Sequence, residues 1–243
     1  MKVDDAKKLH RKKYRQALGH FLVEGEHLVL ELQKAALVHP YLRHSQLFVT
    51  EAYAHWQSEF RTTVIGDRQM GQLSDTETPQ GIIAVAPLPP APVAPEAGER
   101  AVYFHEIQDP GNLGTVLRSL AWFGGFRCLL SAASVDPWSP KVVRASMGAI
   151  FHVAIEQDVT LASLAGRYNT IAALDMQGEA LSSADFQRSE CLIFGNEARG
   201  IPADLQQHLP IKNFTIAGSG AIESLNLASV VNMCVYELNR SSR

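Results

Sequence analysis

A proline-rich stretch in the middle of the chain, PLPPAPVAPEAG (87–98), limits what this sequence can fold into. Five of the chain's twelve prolines lie within it. Proline fixes φ and removes a backbone donor, so the stretch cannot form a regular helix or an inner strand, and we interpret it as a semi-rigid extended linker. The sequence therefore predicts a small domain over 1–86, a linker over 87–98 and a larger domain over 99–243, both domains being of ordinary size.

The first domain is predicted to mix helices and strands. A basic helix is expected through about Gln16, and the run FLVEGEHLVLELQKAAL (21–37) carries apolar residues at helical spacing. The segments LFVT (47–50) and GIIAVA (81–86) are short and rich in apolar and β-branched residues, which is typical of strands.

The second domain alternates regularly between the two kinds of element. We predict strands at AVYFHEI (101–107), RCLLS (127–131), FHVAIE (151–156), NTIAALD (169–175) and ECLIFG (190–195), and helices over 112–125, 139–148 and 223–240. Strands that alternate with helices favour a mostly parallel sheet covered on both faces, which is an α/β fold.

Composition excludes several classes of protein. No run of about 18 apolar residues is present, so no transmembrane helix is expected, and the charged N-terminus does not resemble a secretory signal. The three cysteines lie far apart in apolar runs, with no CxxC or Cys/His cluster. We therefore expect reduced, buried thiols, no metal site and a cytoplasmic protein with no membrane partner.

The net charge of −3 does not indicate a nucleic-acid-binding protein, but the distribution of charge is uneven. Basic residues crowd the first fifteen positions, and such a segment can attract phosphate. A solvated helix face would carry the same charges, and both interpretations stay open. The candidate RNA-binding residues are Lys8, Arg11, Lys12, Lys13 and, on the predicted helix over 139–148, Arg144.

Three segments that follow predicted strands combine glycine with polar and charged side chains. They are QDPGNLGTVLR (108–118), FGNEARGIP (194–202) and IAGSGAIESLN (216–226). Each alone could be an ordinary turn or cap, since short motifs match by chance. Ligands of open α/β sheets bind beyond the carboxyl ends of the strands, so the three together predict a site there.

Two nucleotide-binding signatures are missing from the sequence. No GxGxxG turn follows the first strand of the second domain, and no GxxxxGK[ST] segment occurs. The sequence thus disfavours a dinucleotide-dependent oxidoreductase and a Walker-type ATPase.

At these segments the chain resembles the SpoU-type (TrmH-like) ribose 2′-O-methyltransferases of the SPOUT superfamily. DPGNLGTVLR is similar to the first motif of that family, FGNEARGI to the second and ESLNLASVV to the third. The N-terminal KKYRQALGHFLVEGEHLVLE resembles the family's accessory substrate-binding domain, a small α/β module related to ribosomal proteins. The resemblance covers nearly the whole chain.

The resemblance implies an α/β fold whose C-terminal domain is a SPOUT trefoil knot around a parallel sheet. It also implies S-adenosylmethionine as cofactor, a homodimer formed through the knot domain, and rRNA or tRNA as substrate. A catalytically inactive SPOUT-type RNA-binding module is the alternative, and cofactor binding would separate the two.

The resemblance also assigns residues to roles. The catalytic set maps onto Asn112, Arg118, Glu197, Ser224 and Asn226. The cofactor-binding set maps onto Leu174, Gly195, Ile216, Gly218 and Leu225. The family often has Ile-Pro-Met where this chain has Ile216-Ala217-Gly218, a departure that bears on cofactor affinity. Arg118 is assigned to the ribose 2′-hydroxyl, which it would orient while stabilising negative charge.

Overall fold

The computed structural model describes residues 1–90, 94–196, 199–202, 209–222 and 224–240, without the side chain of Met176. The chain forms two compact units. The first contains Met1–Ala91 and Asp136–His152, and the second contains Pro92–Val135 and Val153–Arg243. These units are defined by which residues pack together, whereas the predicted domains are continuous stretches of the chain. The domain boundaries at 86 and 98 therefore stay a prediction.

The first unit is built on a four-stranded mixed sheet. Its strand order is β1-β4-β2-β3, in which β4 runs antiparallel to both of its neighbours and β2 is parallel to β3. The strands are β1 (His20–Glu24), β2 (Gln46–Val49), β3 (Arg61–Val64) and β4 (Ile82–Pro87). The helices are α1 (Val3–Ala6), α2 (Lys12–Leu18), α3 (Glu26–Val38), α4 (Asp67–Leu73) and α6 (Pro140–Ser146).

The basic N-terminal segment is not the single helix that the sequence predicted. It forms α1, a 3-10 turn over Lys7–His10 and then α2, because Arg11 is extended at φ −105° and ψ 131°. The guanidinium of Arg15 donates to the Leu9 carbonyl at 2.6 Å across this break. A buried side chain therefore satisfies a carbonyl group that a continuous helix would have bonded internally.

Residues 136–152 pack against the beginning of the chain. Helix α6 lies on β1, and Phe21 of β1 meets the rings of Trp138 and Phe151 at centroid distances of 5.1 and 6.5 Å. Arg15 also forms an ion pair with Asp136, with side-chain exposures of 4% and 10%. Apolar and ionic contacts together join this segment to the first unit.

The second unit is built on a parallel sheet of six described strands, in the order β10-β8-β9-β5-β6-β7. Every pair in it is parallel, as the alternation of elements predicted. The strands are β5 (Arg100–Phe104), β6 (Phe126–Leu130), β7 (Ile155–Glu156), β8 (Ile171–Ala180), β9 (Cys191–Phe194) and β10 (Ile211–Thr215). The helices are α5 (Pro110–Phe123), α7 (Ala184–Gln187) and α8 (Leu227–Arg240).

Helices α5 and α8 pack against each other, and α5 also packs on β6. Helix α5 starts with Pro110 at its first position and with the Asp109 carboxylate accepting from the backbone N–H of Asn112 at 2.6 Å, a standard capping arrangement. Helix α8 buries apolar side chains at helical spacing, namely Ala228, Val231, Cys234, Val235 and Leu238. Burying each larger one contributes about 1.5–3 kcal/mol relative to exposure.

Strand β8 changes register beside its neighbour. Ala173 pairs with Asn213, but the next pair is Glu179 with Phe214, so residues 174–178 leave the ladder. A Cβ at Gly178 would collide with the backbone of Asn213, so this close approach requires glycine. Leu174 is the first of the residues that leave the ladder.

The predicted strand over 151–156 is wrong for most of its length. Ala149–Phe151 is a 3-10 turn that packs in the first unit, and only Ile155–Glu156 joins the sheet. The sequence prediction also missed β1, β3 and β10. Strand β3 has mostly exposed, polar residues, so it lacks the apolar alternation that marks a half-buried strand.

The cysteines Cys128, Cys191 and Cys234 are buried and unpaired, as predicted. Burial raises the pKa of the Cys191 thiol to about 12, which keeps it protonated and unreactive. None of the helices in the described part of the chain has both the length and the apolarity that a membrane span needs. Within the same residues, no cluster of His, Cys, Asp and Glu could hold a metal ion.

Candidate active site

The carboxyl ends of β5, β9, β8 and β10 lie side by side in the second unit. The first segment (108–118) follows β5, the second (194–202) follows β9, and the third (216–226) follows β10. Parallel strands end at a common edge, so the fold directs all three segments to that edge.

A hydrogen bond between side chains joins the first and third segments. The Nδ2 of Asn226 donates to the Oδ1 of Asn112 at 2.9 Å. The Oδ1 of Asn226 meanwhile accepts from the backbone N–H groups of Ala228 and Ser229 at 2.9 and 3.3 Å. Asn226 therefore caps α8 and binds the first turn of α5, which brings together two residues predicted to be catalytic.

Asn196 joins the second segment to the end of β5. Its Nδ2 donates to the backbone carbonyl of Glu106 at 2.9 Å, and its Oδ1 accepts from the backbone N–H of Arg199 at 3.2 Å. The backbones of Asn196 and Gly200 exchange two hydrogen bonds at 3.1 and 2.8 Å. A Cβ at Gly195 would collide with Gly200 and Ile201, so the close closure of this loop requires glycine.

Arg118 lies on α5, two turns beyond its start, and its side chain is exposed. In the part of the chain that the structure describes, no carboxylate or other polar group pairs with its guanidinium. Its charge is thus not balanced by a described carboxylate, unlike the charge of Arg199, which forms an ion pair with Glu106.

Of the residues assigned to the cofactor, Gly195 directly follows β9, Ile216 directly follows β10, and Leu174 lies in β8 where its ladder with β10 is interrupted. Leu174, Gly195 and Ile216 are half-buried, whereas Gly218 is exposed and Leu225 is 45% exposed. Partly uncovered apolar side chains beside a tightly closed glycine loop suit a flat, heteroaromatic ligand that is bound largely by backbone groups. The residues present therefore fit an adenosine-containing cofactor.

Ser224 and Glu197 complete the predicted catalytic set. Ser224 is exposed and lies two residues before Asn226, the cap of α8. Glu197 lies outside the described residues. Direct hydrogen bonds thus connect only Asn112 and Asn226 among the described members of the set.

The predicted RNA-binding residues lie in the first unit and differ in their environments. Arg11, Lys12 and Lys13 are exposed and have no ion pair among the described residues. Lys8 pairs with Asp5 at 2.9 Å. Arg144 lies 2.8 Å from Asp75 and 3.6 Å from Glu24, so two carboxylates already balance its charge and its placement favours a structural contact.

Sequence reasoning overlooked Glu106. Its backbone has φ +58°, in the left-handed region, which costs about 1–2 kcal/mol for a residue other than glycine. The side-chain Oγ of Ser131 accepts from the Glu106 N–H at 2.8 Å, and the Glu106 carbonyl accepts from Gln108 and Asn196. The local sequence does not mark this conformation, since two of its three partners, Ser131 and Asn196, come from distant parts of the chain.

A parallel sheet with three glycine-containing loops held by hydrogen bonds at its carboxyl edge is typical of α/β proteins that bind a ligand at that edge. Two family models match the chain. The model of the SpoU rRNA Methylase family matches residues 99–236, and the MRM3-like substrate binding domain matches residues 1–84. The chain belongs to the SpoU rRNA methylase family.

Relatives of known name match along nearly the whole chain. The 23S rRNA (guanosine(2553)-2′-O)-methyltransferase RlmP of Bacillus subtilis is 31% identical over 98% of this chain and 95% of its own length. An uncharacterized tRNA/rRNA methyltransferase of Synechocystis is 31% identical over 98% of this chain and 90% of its own length.

Solved structures show the same architecture. A TrmH-family structure from Porphyromonas gingivalis has a TM-score of 0.82 at 29% identity and covers 98% of this chain and 97% of that one. The AdoMet-bound rRNA methyltransferase from Sinorhizobium meliloti also has a TM-score of 0.82, at 23% identity, covering 98% of this chain and 94% of that one. The second likeness is one of fold alone.

Proposed function

We propose that this protein transfers a methyl group from S-adenosylmethionine to a ribose 2′-hydroxyl of RNA. The observation that carries the proposal is the hydrogen bond between Asn226 and Asn112, which joins the first and third of the family's motifs. Membership of the family and the 2′-O-methyltransferase relative in Bacillus subtilis support the reaction type.

The cofactor would be held by Leu174, Gly195, Ile216, Gly218 and Leu225, through backbone groups and apolar contact. S-adenosylmethionine supplies an already activated methyl group, so the protein's task is alignment and charge stabilisation. Holding the two reactants in line contributes as much as about 7–11 kcal/mol toward lowering the barrier. Ala217 and Gly218 leave this side of the site with less side-chain cover than Pro and Met would provide.

Arg118 would act on the nucleophile. A ribose hydroxyl attacks poorly until its oxygen gains negative charge, and a guanidinium is already protonated in proteins, so it cannot take the hydroxyl proton. Arg118 would therefore orient the 2′-hydroxyl and stabilise the charge that develops on its oxygen. Asn112, Asn226, Ser224 and Glu197 would hold the arginine, the ribose and the third segment in place.

A trefoil knot is consistent with the order of elements. Strand β10 lies at the edge of the sheet beyond β8, yet α8, which follows it, packs against α5. The chain must therefore return from the edge of the sheet toward its middle after β10. We propose that it does so through the knot that is typical of this family.

We also propose a homodimer formed through the second unit. Trp122 on α5 is 85% exposed, and Met233 and Tyr236 on α8 are 42% and 54% exposed. Apolar residues that are uncovered on two adjoining helices suit a second copy of the chain. Light scattering on the purified protein tests this, and a monomer at micromolar concentration would contradict it.

The substrate would be rRNA or tRNA in the cytoplasm, bound in part by the first unit. Exposed Arg11, Lys12 and Lys13 would contact phosphates, with smaller contributions from Lys8 and Arg144, whose charges are paired. Each phosphate contact releases counterions, so RNA affinity should fall steeply as salt rises. Affinity that is insensitive to salt would argue against this basic segment.

The decisive experiment measures methyl transfer to ribosomal RNA from cells that lack the gene, followed by mapping of alkali-resistant positions. We expect Arg118→Ala to lower turnover by about 100-fold or more, since it removes charge stabilisation, and to leave S-adenosylhomocysteine binding nearly unchanged. Arg188→Ala is the matched control, because Arg188 is similarly exposed and pairs only with Asp185 among the described acids.

Two outcomes would count against the proposal. An Arg118→Ala protein with the turnover of the wild type would remove Arg118 from the mechanism. A folded protein that does not bind S-adenosylhomocysteine at millimolar concentration would instead indicate an RNA-binding module without catalysis.

A further inference from the structure

Glu106 and Arg199 meet although they are far apart in sequence. Their side chains form an ion pair at the end of β5, with side-chain exposures of 27% for Glu106 and 71% for Arg199. The same two residues are also linked through Asn196, whose side chain bonds the Glu106 carbonyl and the Arg199 N–H. Backbone and side-chain contacts therefore join the second segment to the strand that leads into the first.

The conformation of Glu106 is well determined by its surroundings. Its φ of +58° is unfavourable for glutamate, yet the backbone is fixed by Ser131 on the N–H and by Asn196 and Gln108 on the carbonyl. Unfavourable backbone conformations that persist in this way occur often at functional sites. Glycine would adopt this conformation without strain, but it would lack the carboxylate that Arg199 binds.

We propose that Glu106 and Arg199 are positioning residues that hold the second segment in place for cofactor binding and methyl transfer. This inference rests on the proposed function, because it concerns the same site. The ion pair sets the position of the loop that contains Gly195, assigned to the cofactor, and Asn196. Neither residue needs to touch the reacting atoms.

The remaining hydrogen bonds of the loop predict that loss of the ion pair has a partial effect on loop order, cofactor affinity and turnover. Removing the carboxylate leaves the Asn196 bond to the Glu106 carbonyl and the two bonds between Asn196 and Gly200 intact. The loop should therefore loosen without unfolding. Exposed ion pairs are individually weak, so we expect about a five-fold loss of affinity for S-adenosylhomocysteine, and a larger loss of turnover because alignment is sensitive to small displacements.

The test compares four changes in the full-length protein: Glu106→Gln, Glu106→Gly, Arg199→Gln and the double exchange Glu106→Arg with Arg199→Glu. Glu106→Gly removes the carboxylate while suiting a positive φ, so loss of stability does not explain its result. Arg188→Gln is the matched control, since Arg188 forms an exposed ion pair with side-chain exposure of 67% elsewhere in the same unit.

Three readouts are needed. Hydrogen exchange of the peptide spanning 195–201 reports the loop, calorimetry reports the dissociation constant of S-adenosylhomocysteine, and steady-state kinetics separate kcat from KM for RNA. We expect each single variant to exchange faster at 195–201, to bind about five-fold more weakly and to lose kcat with little change in KM for RNA. The double exchange should recover a substantial part of both losses.

The outcomes separate this inference from the proposed function. If the wild type binds S-adenosylhomocysteine, and Glu106→Gly and Arg199→Gln match it in exchange, affinity and kcat, the positioning role is wrong while the function stands. Failure of the wild type itself to bind would overturn the proposed function. Loss in the single variants without recovery in the double exchange would overturn the ion pair as the cause.

Discussion

Asn226 has two tasks at the start of α8. Its side-chain oxygen caps the helix, and its amide nitrogen reaches Asn112 on α5. Asn226 therefore contributes to both stability and the site, so a mutation there can lower the free energy of unfolding, the turnover, or both. The two can be separated, because serine also caps helices well but is too short to reach Asn112.

We therefore predict that Asn226→Ser keeps the free energy of unfolding nearly unchanged and still lowers turnover. Asn226→Ala should lower turnover as well and also cost about 1 kcal/mol of stability through the lost cap. Urea unfolding and methyl-transfer assays on the pair provide the measurement. Wild-type turnover in Asn226→Ser would show that the bond to Asn112 is not needed.

Glu156 shows how a half-buried carboxylate contributes to stability in the second unit. Burial raises the pKa of its carboxyl, but hydrogen bonds from Arg167 and Arg127 outweigh burial and hold the pKa below its ordinary value of 4.5. The oxygen–nitrogen distances are 2.8 and 2.6 Å. The folded state therefore binds fewer protons than the unfolded chain at acid pH.

The sign of the pH effect follows from that depressed pKa. The stability that Glu156 contributes is complete above about pH 4.5 and is lost as the pH falls through the lower folded-state value. We predict that Glu156→Gln lowers stability at neutral pH and flattens the acid limb of the stability profile measured by urea unfolding. Glu77→Gln, at an exposed position, is the control, and an unchanged acid limb in Glu156→Gln would contradict the prediction.

At this scale the sequence predicts residues that belong to motifs and misses those defined by tertiary contacts. Asn112 and Asn226 could be named because each lies in a recognisable segment, and the structure brings them into contact. Glu106 and Arg199 could not be paired from sequence, since only folding determines which of many carboxylates lies near a given arginine.

Among the secondary-structure elements, α6 departs furthest from its position in the sequence. It lies between β6 and β7 along the chain but packs on β1 in the first unit. Arg15 and Asp136 form the ionic part of that attachment, and both are almost completely buried. Removing one partner of a buried pair leaves the other uncompensated.

We predict that Asp136→Asn lowers the free energy of unfolding of the first unit by about 3 kcal/mol or more. Hydrogen exchange of peptides from α2, β1 and α6 would measure it. Asp4→Asn is the control, because the Asp4 side chain is 89% exposed and its pair with Lys7 is local, so the change should alter stability by less than about 0.5 kcal/mol. Equal effects of the two changes would contradict the prediction.

Most elements were predictable where apolar periodicity is strong, as in α3, α5, α8 and the inner strands. The prediction was wrong where local preference and tertiary packing disagree. The FHVAIE segment has strand-forming residues, but Phe151 instead packs against Phe21 of the first unit. The local sequence does not indicate a packing partner that lies more than a hundred residues away.

For the molecule as a whole, the alternation of strands and helices predicted the parallel sheet, and the motifs predicted the family. The sequence did not indicate which residues pack together in each unit. Residues 136–152 lie inside the span that matches the methylase family model and yet pack in the first unit. Periodicity describes single elements and says nothing about which unit an element joins.

This arrangement predicts the behaviour of a nicked protein. A single proteolytic cut within 87–98 leaves 136–152 on the C-terminal fragment, while the residues it packs against remain on the N-terminal fragment. We expect both fragments to elute together from gel filtration in native buffer and to separate in denaturant. Independent elution in native buffer would mean that the contacts of α6 are too weak to hold the first unit together.

The same arrangement limits how this protein can exchange parts with its relatives. A recombination event at the proline-rich stretch would replace the beginning of the chain but keep the original residues 136–152. Trp138 and Phe151 would then face a different β1, without the Phe21 ring that they contact here. Viable hybrids would need a second crossover pair around 136–152. Inheritance of the two units should therefore be coupled, so the modularity that the linker suggests is only partial.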